Sequence, residues 1–251
     1  MTVASDTVPA GLGMEILAEH APKLGLTLTS GQLAQFARYT QLLQAGNQRA
    51  NLTAITDPAE VQVRHYLDSL TAVLAVSEWP DGARVVDIGA GAGFPGVPLK
   101  IAFPGIRLTL AESTGKKTAF LQGLVSEMAL DDVEVLTIRA EDLGRAEGYR
   151  GQFDLALARG VASLPALVEY ALPLCKGHGR MLAWKGSDGP AEAESAANAL
   201  KELGGEISGL HSVNELSPPL PADRWIISVE KVRRTPGRYP RRIGVPTKQP
   251  L

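Results

Sequence analysis

The stretch VVDIGAGAGFPGVPLK, residues 85–100, decides the fold, because its glycines fit two different nucleotide-binding turns. Gly91, Gly93 and Gly96 spell GxGxxG, the dinucleotide fingerprint. Asp87 followed by Gly89, Gly91 and Gly93 spells an acid-x-G-x-G-x-G turn of the kind that holds S-adenosylmethionine (AdoMet). Both place a strand before the glycines and a helix after them. In the first, the strand runs through DIGA and brings Asp87 against a pyrophosphate that its charge repels. Pro98 then has to sit inside the helix, where proline suits only the first turn. In the second, Asp87 ends the strand facing a zwitterionic amino-acid moiety and a sulfonium, and Pro95 and Pro98 fall at or just before the helix start.

Outward from this stretch, short β-branched runs recur at 84–88, 106–111, 133–138, 153–158 and 179–184. Between them lie amphipathic stretches such as KKTAFLQGLVSEMA, with Ala119, Phe120, Leu124 and Met128 at helical spacing. Such alternation predicts right-handed crossovers and a parallel sheet covered on both faces. The last two runs, 206–213 and 225–232, are separated only by a proline-rich loop, too short for a crossover helix, so they are expected to pair antiparallel. Upstream, Thr29 and Gln32 stand at capping-box spacing before Leu33, Phe36 and Leu43, predicting a helix to Ala45. Asp57, Pro58 and Glu60 open a second helix, whose apolar face is Val63, Tyr66, Leu67, Leu70 and Leu74.

The expected fold class is α/β: a Rossmann-like, class I AdoMet-dependent methyltransferase domain with a seven-stranded, mostly parallel sheet, a C-terminal antiparallel hairpin and an N-terminal helical extension. Periodicity supports the α/β sheet and its hairpin, and the methyltransferase topology is analogy. The expected divisions are 1–78 for the helical extension, 79–232 for the methyltransferase domain and 233–251 for a basic C-terminal tail packed on or beside it.

At 251 residues, with 45% hydrophobic content, the chain can bury a substantial core. One cysteine, Cys175, leaves no intrachain disulfide framework and suits a reducing compartment. Neither a signal sequence nor a long apolar span stands out, so a soluble cytoplasmic protein, away from membranes, is expected. The formal charge of −2 argues against a nucleic-acid binder, but Lys231, Arg233, Arg234, Arg238, Arg241, Arg242 and Lys248 crowd residues 231–251. Such a patch attracts a phosphate backbone or is a solvated tail.

Glu112 closes the second strand roughly twenty residues beyond the glycine turn, where a carboxylate accepts hydrogen bonds from ribose hydroxyls in either cofactor class. RAED, residues 139–142, follows the third strand. There Ala140 can floor an adenine ring and Glu141 or Asp142 can meet its exocyclic amine, or the acid can simply cap a helix. The three acidic positions together favour AdoMet over NAD.

The fourth strand ends in ALARGVASL, residues 156–164, without the Asn/Asp-Pro-Pro-aromatic sequence used to methylate exocyclic amines. Methylation of a pyrimidine at carbon 5 needs a cysteine nucleophile, and Cys175, near the end of a helical segment, reads as a small core residue. Guanine N7 remains: its in-plane lone pair carries no proton and needs no general base, so alignment and electrostatics suffice. Arg159 is the candidate organiser, holding the methionine carboxylate or a nucleic-acid phosphate. Lys116 and Lys117 either meet phosphate or are solvated. His65 and Asp68, at i,i+3, read as a hydrogen-bonded pair that orders the helix, and no metal site is expected.

Several segments carry a resemblance: NLTAI (51–55), HYLDSL (65–70), residues 85–104, AESTGKKTAFL (111–121), RAED, FDLALARGVASL (153–164), KGHGRMLAWKG (176–186) and the tail YPRRIGVPTKQPL (239–251). From about residue 30 to its end the sequence resembles the RsmG, or GidB, family of bacterial methyltransferases that modify N7 of a guanine in the 530 loop of 16S ribosomal RNA. The resemblance implies this substrate, AdoMet as cofactor and S-adenosylhomocysteine as product. It implies cofactor contacts at Gly89, Phe94, Glu112, Ser113, Thr114, Ala140, Glu141 and Arg159. The small ribosomal subunit or its RNA is the implied partner; a monomer is expected, and the charge pattern makes Lys116, Lys117, Arg233, Arg234, Arg238, Arg241 and Arg242 the candidate RNA contacts. Many members have serine where Ala90 stands, which costs only a hydroxyl. The first twenty-odd residues match nothing and are expected to fray. Two alternatives stay open: a non-catalytic RNA-binding or ribosome-associated protein that keeps AdoMet as a structural ligand, and an NAD-dependent oxidoreductase.

Overall fold

The computed structural model describes residues 13–213 and 223–251. Seven strands form one sheet: β1 (Arg84–Ile88), β2 (Arg107–Glu112), β3 (Val133–Thr137), β4 (Phe153–Arg159), β5 (Cys175–Lys185), β6 (Gly205–Ser212) and β7 (Trp225–Lys231). Their order is β3-β2-β1-β4-β5-β7-β6. The pairs from β3 across to β5 are parallel, and β7 runs antiparallel to both β5 and β6. The expected hairpin therefore forms, with β7 inserted beside β5. The proline-rich loop lies mostly outside the described residues.

Alternate residues of the central strands feed two separate cores, as the period of two requires. Val85, Leu155, Leu157, Leu182 and Trp184 join one cluster, and Val86, Ile88, Ala156, Ala158, Met181 and Ala183 join the other. On the second face the alanines let the helix Leu164–Ala171 approach closely, and all of its residues are buried. The first cluster contains Phe36, Tyr39, Leu43, Tyr66, Leu67 and Leu70, so the N-terminal helices share a core with the sheet.

The helix Ser30–Ala50 starts at the predicted capping box but runs past Ala45 to an Asn51 cap at φ 47°. Gly46 does not end it, because the Phe120 ring closes over the glycine: a Cβ there would meet Phe120 at 2.5 Å. The stretch 58–74 is helical throughout, with one π turn at Gln62–Leu67. Residues 13–20 do not fray: Leu17 in the helix Glu15–His20 is fully buried, and its N–H donates to Gln62 Oε1 at 3.1 Å. The expectation for residues 1–12 falls outside the described residues. In the helix Gly115–Glu127, Thr118 and Leu121 face the core with Leu124, while Ala119 is exposed. Cys175 opens β5 instead of closing a helix, since it pairs in register with Phe153.

Candidate functional site

The strand order reverses between β1 and β4, which opens a crevice beyond their C-terminal ends. Here the chain turns through Gly89 at φ 70° and Gly93 at φ 105°. The N–H groups of Gly89 and Ala90 both donate to the Ala111 carbonyl, at 2.8 and 3.2 Å, which clips the turn to β2. A side chain at Gly89 would strike Val161, and one at Gly93 would strike Tyr39 Oη, each within 3 Å. The turn is thus packed from both sides, and Tyr39 Oη also donates to the Ala92 carbonyl at 2.6 Å.

Asp87 does not face the crevice as expected. Its buried carboxylate turns inward and accepts the N–H of Gly96, the first residue of the helix Gly96–Ala102, at 2.8 Å. Burial raises its pKa to about 7, against the Gly96 bond and the charge of Arg159. The helix start that would cradle a dinucleotide pyrophosphate is therefore already taken by a carboxylate, which weighs against the GxGxxG alternative.

Glu112 ends β2 beside the glycine turn. One oxygen accepts the Gly91 N–H at 3.1 Å and the other the Thr114 N–H at 2.8 Å, and the Thr114 hydroxyl is a third donor, which leaves the carboxylate some acceptor capacity. Burial raises its pKa, but the Thr114 amide and hydroxyl, the Gly91 amide and the charge of Lys117 together outweigh it, so the net shift is downward. A cleft of about 340 Å³ lies alongside, lined by Gly89, Ala111, Ser113, Ala140, Glu141 and Tyr170 among others. The Gly89 cradle, the Glu112 lone pairs and the small Ala140 floor fit an adenosyl group. Glu141 is buried and already accepts the Gly244 N–H at 2.8 Å, while Asp142 is exposed. The ring of Phe94 points away from this cleft. It stacks on His65 at 4.2 Å and on Tyr39 at 5.3 Å, with the Arg159 guanidinium 5.1 Å over its face. Any contact from Phe94 to a cofactor falls to its backbone.

A second cleft of about 530 Å³ opens on the other side of Val161, which lines both. Arg64, His65, Asp68, Arg159, Lys185 and Arg224 line it, and its four cations are paired with three carboxylates, Glu60, Asp68 and Glu192, which leaves a small positive excess. Arg159 is not a free anchor: its guanidinium donates to Asp68 Oδ2 at 2.7 Å, to the Arg64 carbonyl at 3.2 Å and to His65 Nδ1 at 3.2 Å. His65 and Asp68 consequently meet through Arg159 and not as the expected direct pair. A guanidinium only donates, so His65 accepts at Nδ1 and directs its Nε2–H to Thr53 Oγ1 at 2.9 Å. Burial and the Arg159 charge lower the His65 pKa to about 3, keeping the ring neutral. Lys185 Nζ binds Glu192 and the Ala162 carbonyl, both at 2.7 Å, and pins the loop that follows β4. Cys175 is buried, its thiol pushed up to about 12 by burial, and it lines neither of these clefts.

Lys116 and Lys117 sit in the first turn of the helix after β2, Lys116 exposed and Lys117 partly so. The tail splits. Arg241 is not a free RNA contact, because it chelates Glu169, which is 0% exposed, with N···O distances of 2.6–3.0 Å. Arg238 pairs with Glu202 at 2.7 Å and lies over Tyr239, and Arg233 binds the Lys201 carbonyl. Arg234 and Arg242 are exposed. Sequence reasoning missed Trp184 and Arg224 in the second cleft, and Ile243, Gly244 and Thr247 in the first. Trp184 lay in AWKG, Ile243, Gly244 and Thr247 in IGVPTK, and Arg224 just before the last strand, and none of these has a spacing with chemistry of its own.

The family profile described as GidB, rRNA small subunit methyltransferase G, matches residues 32–218. A ribosomal RNA small subunit methyltransferase G from Roseiflexus castenholzii is 47% identical over 238 residues, covering 95% of this chain and all of that protein. The protein of the same name from Alkaliphilus oremlandii is 40% identical over 240 residues, covering 94% of this chain and 98% of its own. Among solved structures, a SAM-dependent methyltransferase from Aquifex aeolicus superposes with a TM-score of 0.52 at 15% identity, over 70% of this chain and 94% of that one, and shares the fold.

Proposed function

The chain belongs to the GidB family of small-subunit ribosomal RNA methyltransferases, and on that premise we propose that it is an AdoMet-dependent enzyme methylating N7 of a guanine in the 530 loop of 16S ribosomal RNA. It acts in the cytoplasm as a monomer on the small subunit or its RNA. AdoMet supplies an electrophilic methyl group on a sulfonium. The single observation that carries this reading is the meeting of two clefts at Val161, at the end of β4: one of nucleoside size beside Glu112, the other walled by four cations.

The chain's own residues bind and orient. Glu112 accepts the ribose hydroxyls, the Gly89–Gly91 turn holds the amino-acid end, and Ser113, Thr114 and Ala140 edge the nucleoside. Arg64, Arg159, Lys185 and Arg224 give the second cleft the positive potential that draws in an RNA phosphate and the flipped-out base attached to it. Lys116, Lys117, Arg234 and Arg242 extend that attraction outside. N7 carries no proton, so none has to be removed. His65 lines the target cleft with both ring nitrogens engaged, in keeping with direct attack. Incubation with labelled AdoMet and either naked 16S RNA or small subunits, followed by reduction and aniline treatment, should cut the RNA at one labelled guanine. A methyl group on an exocyclic amine or on carbon 5 overturns the reading.

A further inference from the structure

Three residues of the nucleoside cleft come from the far end of the chain: Ile243, Gly244 and Thr247 line it together with Gly89, Ala140 and Glu141. We propose that the segment 239–251 is the outer wall of the adenosyl pocket, with Ile243 against the purine, and that Glu141 serves binding by holding this wall through Gly244. The proposal rests on the AdoMet reading above and deepens it.

The segment is built into the fold. Tyr239 is buried, and the Arg150 guanidinium donates to the carbonyls of Tyr239, Pro236 and Thr235 at 2.7–3.3 Å. Two residues on, Glu169 takes the Arg241 guanidinium and, at 2.6 Å, the Arg241 backbone N–H as well. Arg241 reaches forward to the Gln249 carbonyl at 2.9 Å, closing the segment into a loop. Gly244 then presents its N–H to Glu141 from φ 76°, a backbone state that favours glycine.

Between the anchored Arg241 and Gly244, Ile243 is an apolar side chain left 54% exposed at the mouth of a cleft of nucleoside volume. An isoleucine there completes its burial when a flat apolar face enters, and a purine supplies one. Glu141 is almost completely buried, with Oε1 on the Gly244 N–H and a side-chain hydrogen bond to Tyr170 as well, so its effect on a nucleoside passes through the position of the wall.

Calorimetric titration with S-adenosylhomocysteine, and competition by adenosine and by purine riboside, which lacks the exocyclic amine, test this. Ile243→Ser, at an exposed position, should weaken S-adenosylhomocysteine by about tenfold with an unchanged melting temperature. Glu141→Ala should weaken adenosine and purine riboside by the same factor, about tenfold, and Glu141→Gln, which keeps an acceptor for Gly244, should recover most of it. A Glu141→Ala loss confined to adenosine shows that the carboxylate meets the amine itself and overturns its role as a positioning residue. Wild-type affinity in Ile243→Ser overturns the wall. If the wild-type protein binds no S-adenosylhomocysteine, the cofactor reading fails first and the wall with it.

Discussion

Arg159 Nη1 stands 2.7 Å from Asp68 Oδ2, so the residue that ends β4 is ion-paired to the N-terminal helical run across the mouth of the target cleft. Asp68 is 1% exposed and Arg159 13%, which makes this a buried pair, costly to break from one side. Arg159→Ala should lower stability by about 3–5 kcal/mol and abolish methyl transfer. The double variant Asp68→Asn/Arg159→Met should regain much of the stability in thermal unfolding and none of the turnover. Recovery of turnover would make Arg159 a purely structural residue.

Two buried groups give the stability opposite dependences on pH. Asp87, raised from 3.8 to about 7, holds its proton more tightly when folded, so its contribution is complete below 3.8 and is lost as pH rises through about 7. His65, lowered from 6.5 to about 3, contributes above 6.5 and loses that as pH falls toward about 3. Over the shared window the two slopes cancel. Asp87→Asn should therefore tilt stability upward with pH, relative to wild type, by about 1.4 kcal/mol per unit, and His65→Gln should tilt it downward by as much. Denaturant unfolding at a series of pH values between these limits reads both, and identical slopes in all three proteins would refute the assignment.

Glu112 holds the glycine turn through the Gly91 N–H, and the proposed ribose contact draws on the same carboxylate. Glu112→Ala should weaken S-adenosylhomocysteine by about 1.5–3 kcal/mol in calorimetry, and Glu112→Gln by less, since it keeps one acceptor. Unchanged affinity in the alanine variant would place the ribose elsewhere.

The basic tail contains two populations of arginine. Arg241→Ala strips the counter-charge from Glu169 and should cost about 3–5 kcal/mol of stability. Arg234→Ala/Arg242→Ala should leave the melting temperature near wild type, weaken RNA binding and flatten its salt dependence by about 0.7–0.9 in slope for each lost phosphate contact. A salt slope at the wild-type value would move the RNA footprint to Lys116, Lys117 and Arg64.

The strands and the glycine turn were legible because their signals are local: β-branched runs, a period of two, glycines at fixed spacing. The placement of Glu112 followed from counting along one strand–turn–strand unit. The inward turn of Asp87 was not legible, since it depends on Gly96 lying close enough that even a Cβ there would meet the carboxylate at 2.9 Å. Nor were the true partners of His65, Asp68 and Arg241 accessible, because each bond spans from 12 to 94 residues of sequence. A charge count marks an arginine as available for phosphate, and a buried glutamate 72 residues away removes it from that role.

Phe94 lies between the aromatic rings of Tyr39 and His65 and the guanidinium of Arg159, so the turn that receives the cofactor is backed by helices made much earlier in the chain. Synthesis delivers those helices before the surface they pack on. Phe36, Tyr39 and Tyr66 leave the ribosome with each other for company but without Phe94, Leu155, Leu157 or Trp184, the residues that complete their core. The N-terminal third thus waits as a loose, apolar fragment until β4 and β5 emerge, so an enzyme that methylates ribosomal RNA is itself at its most aggregation-prone while still attached to a ribosome.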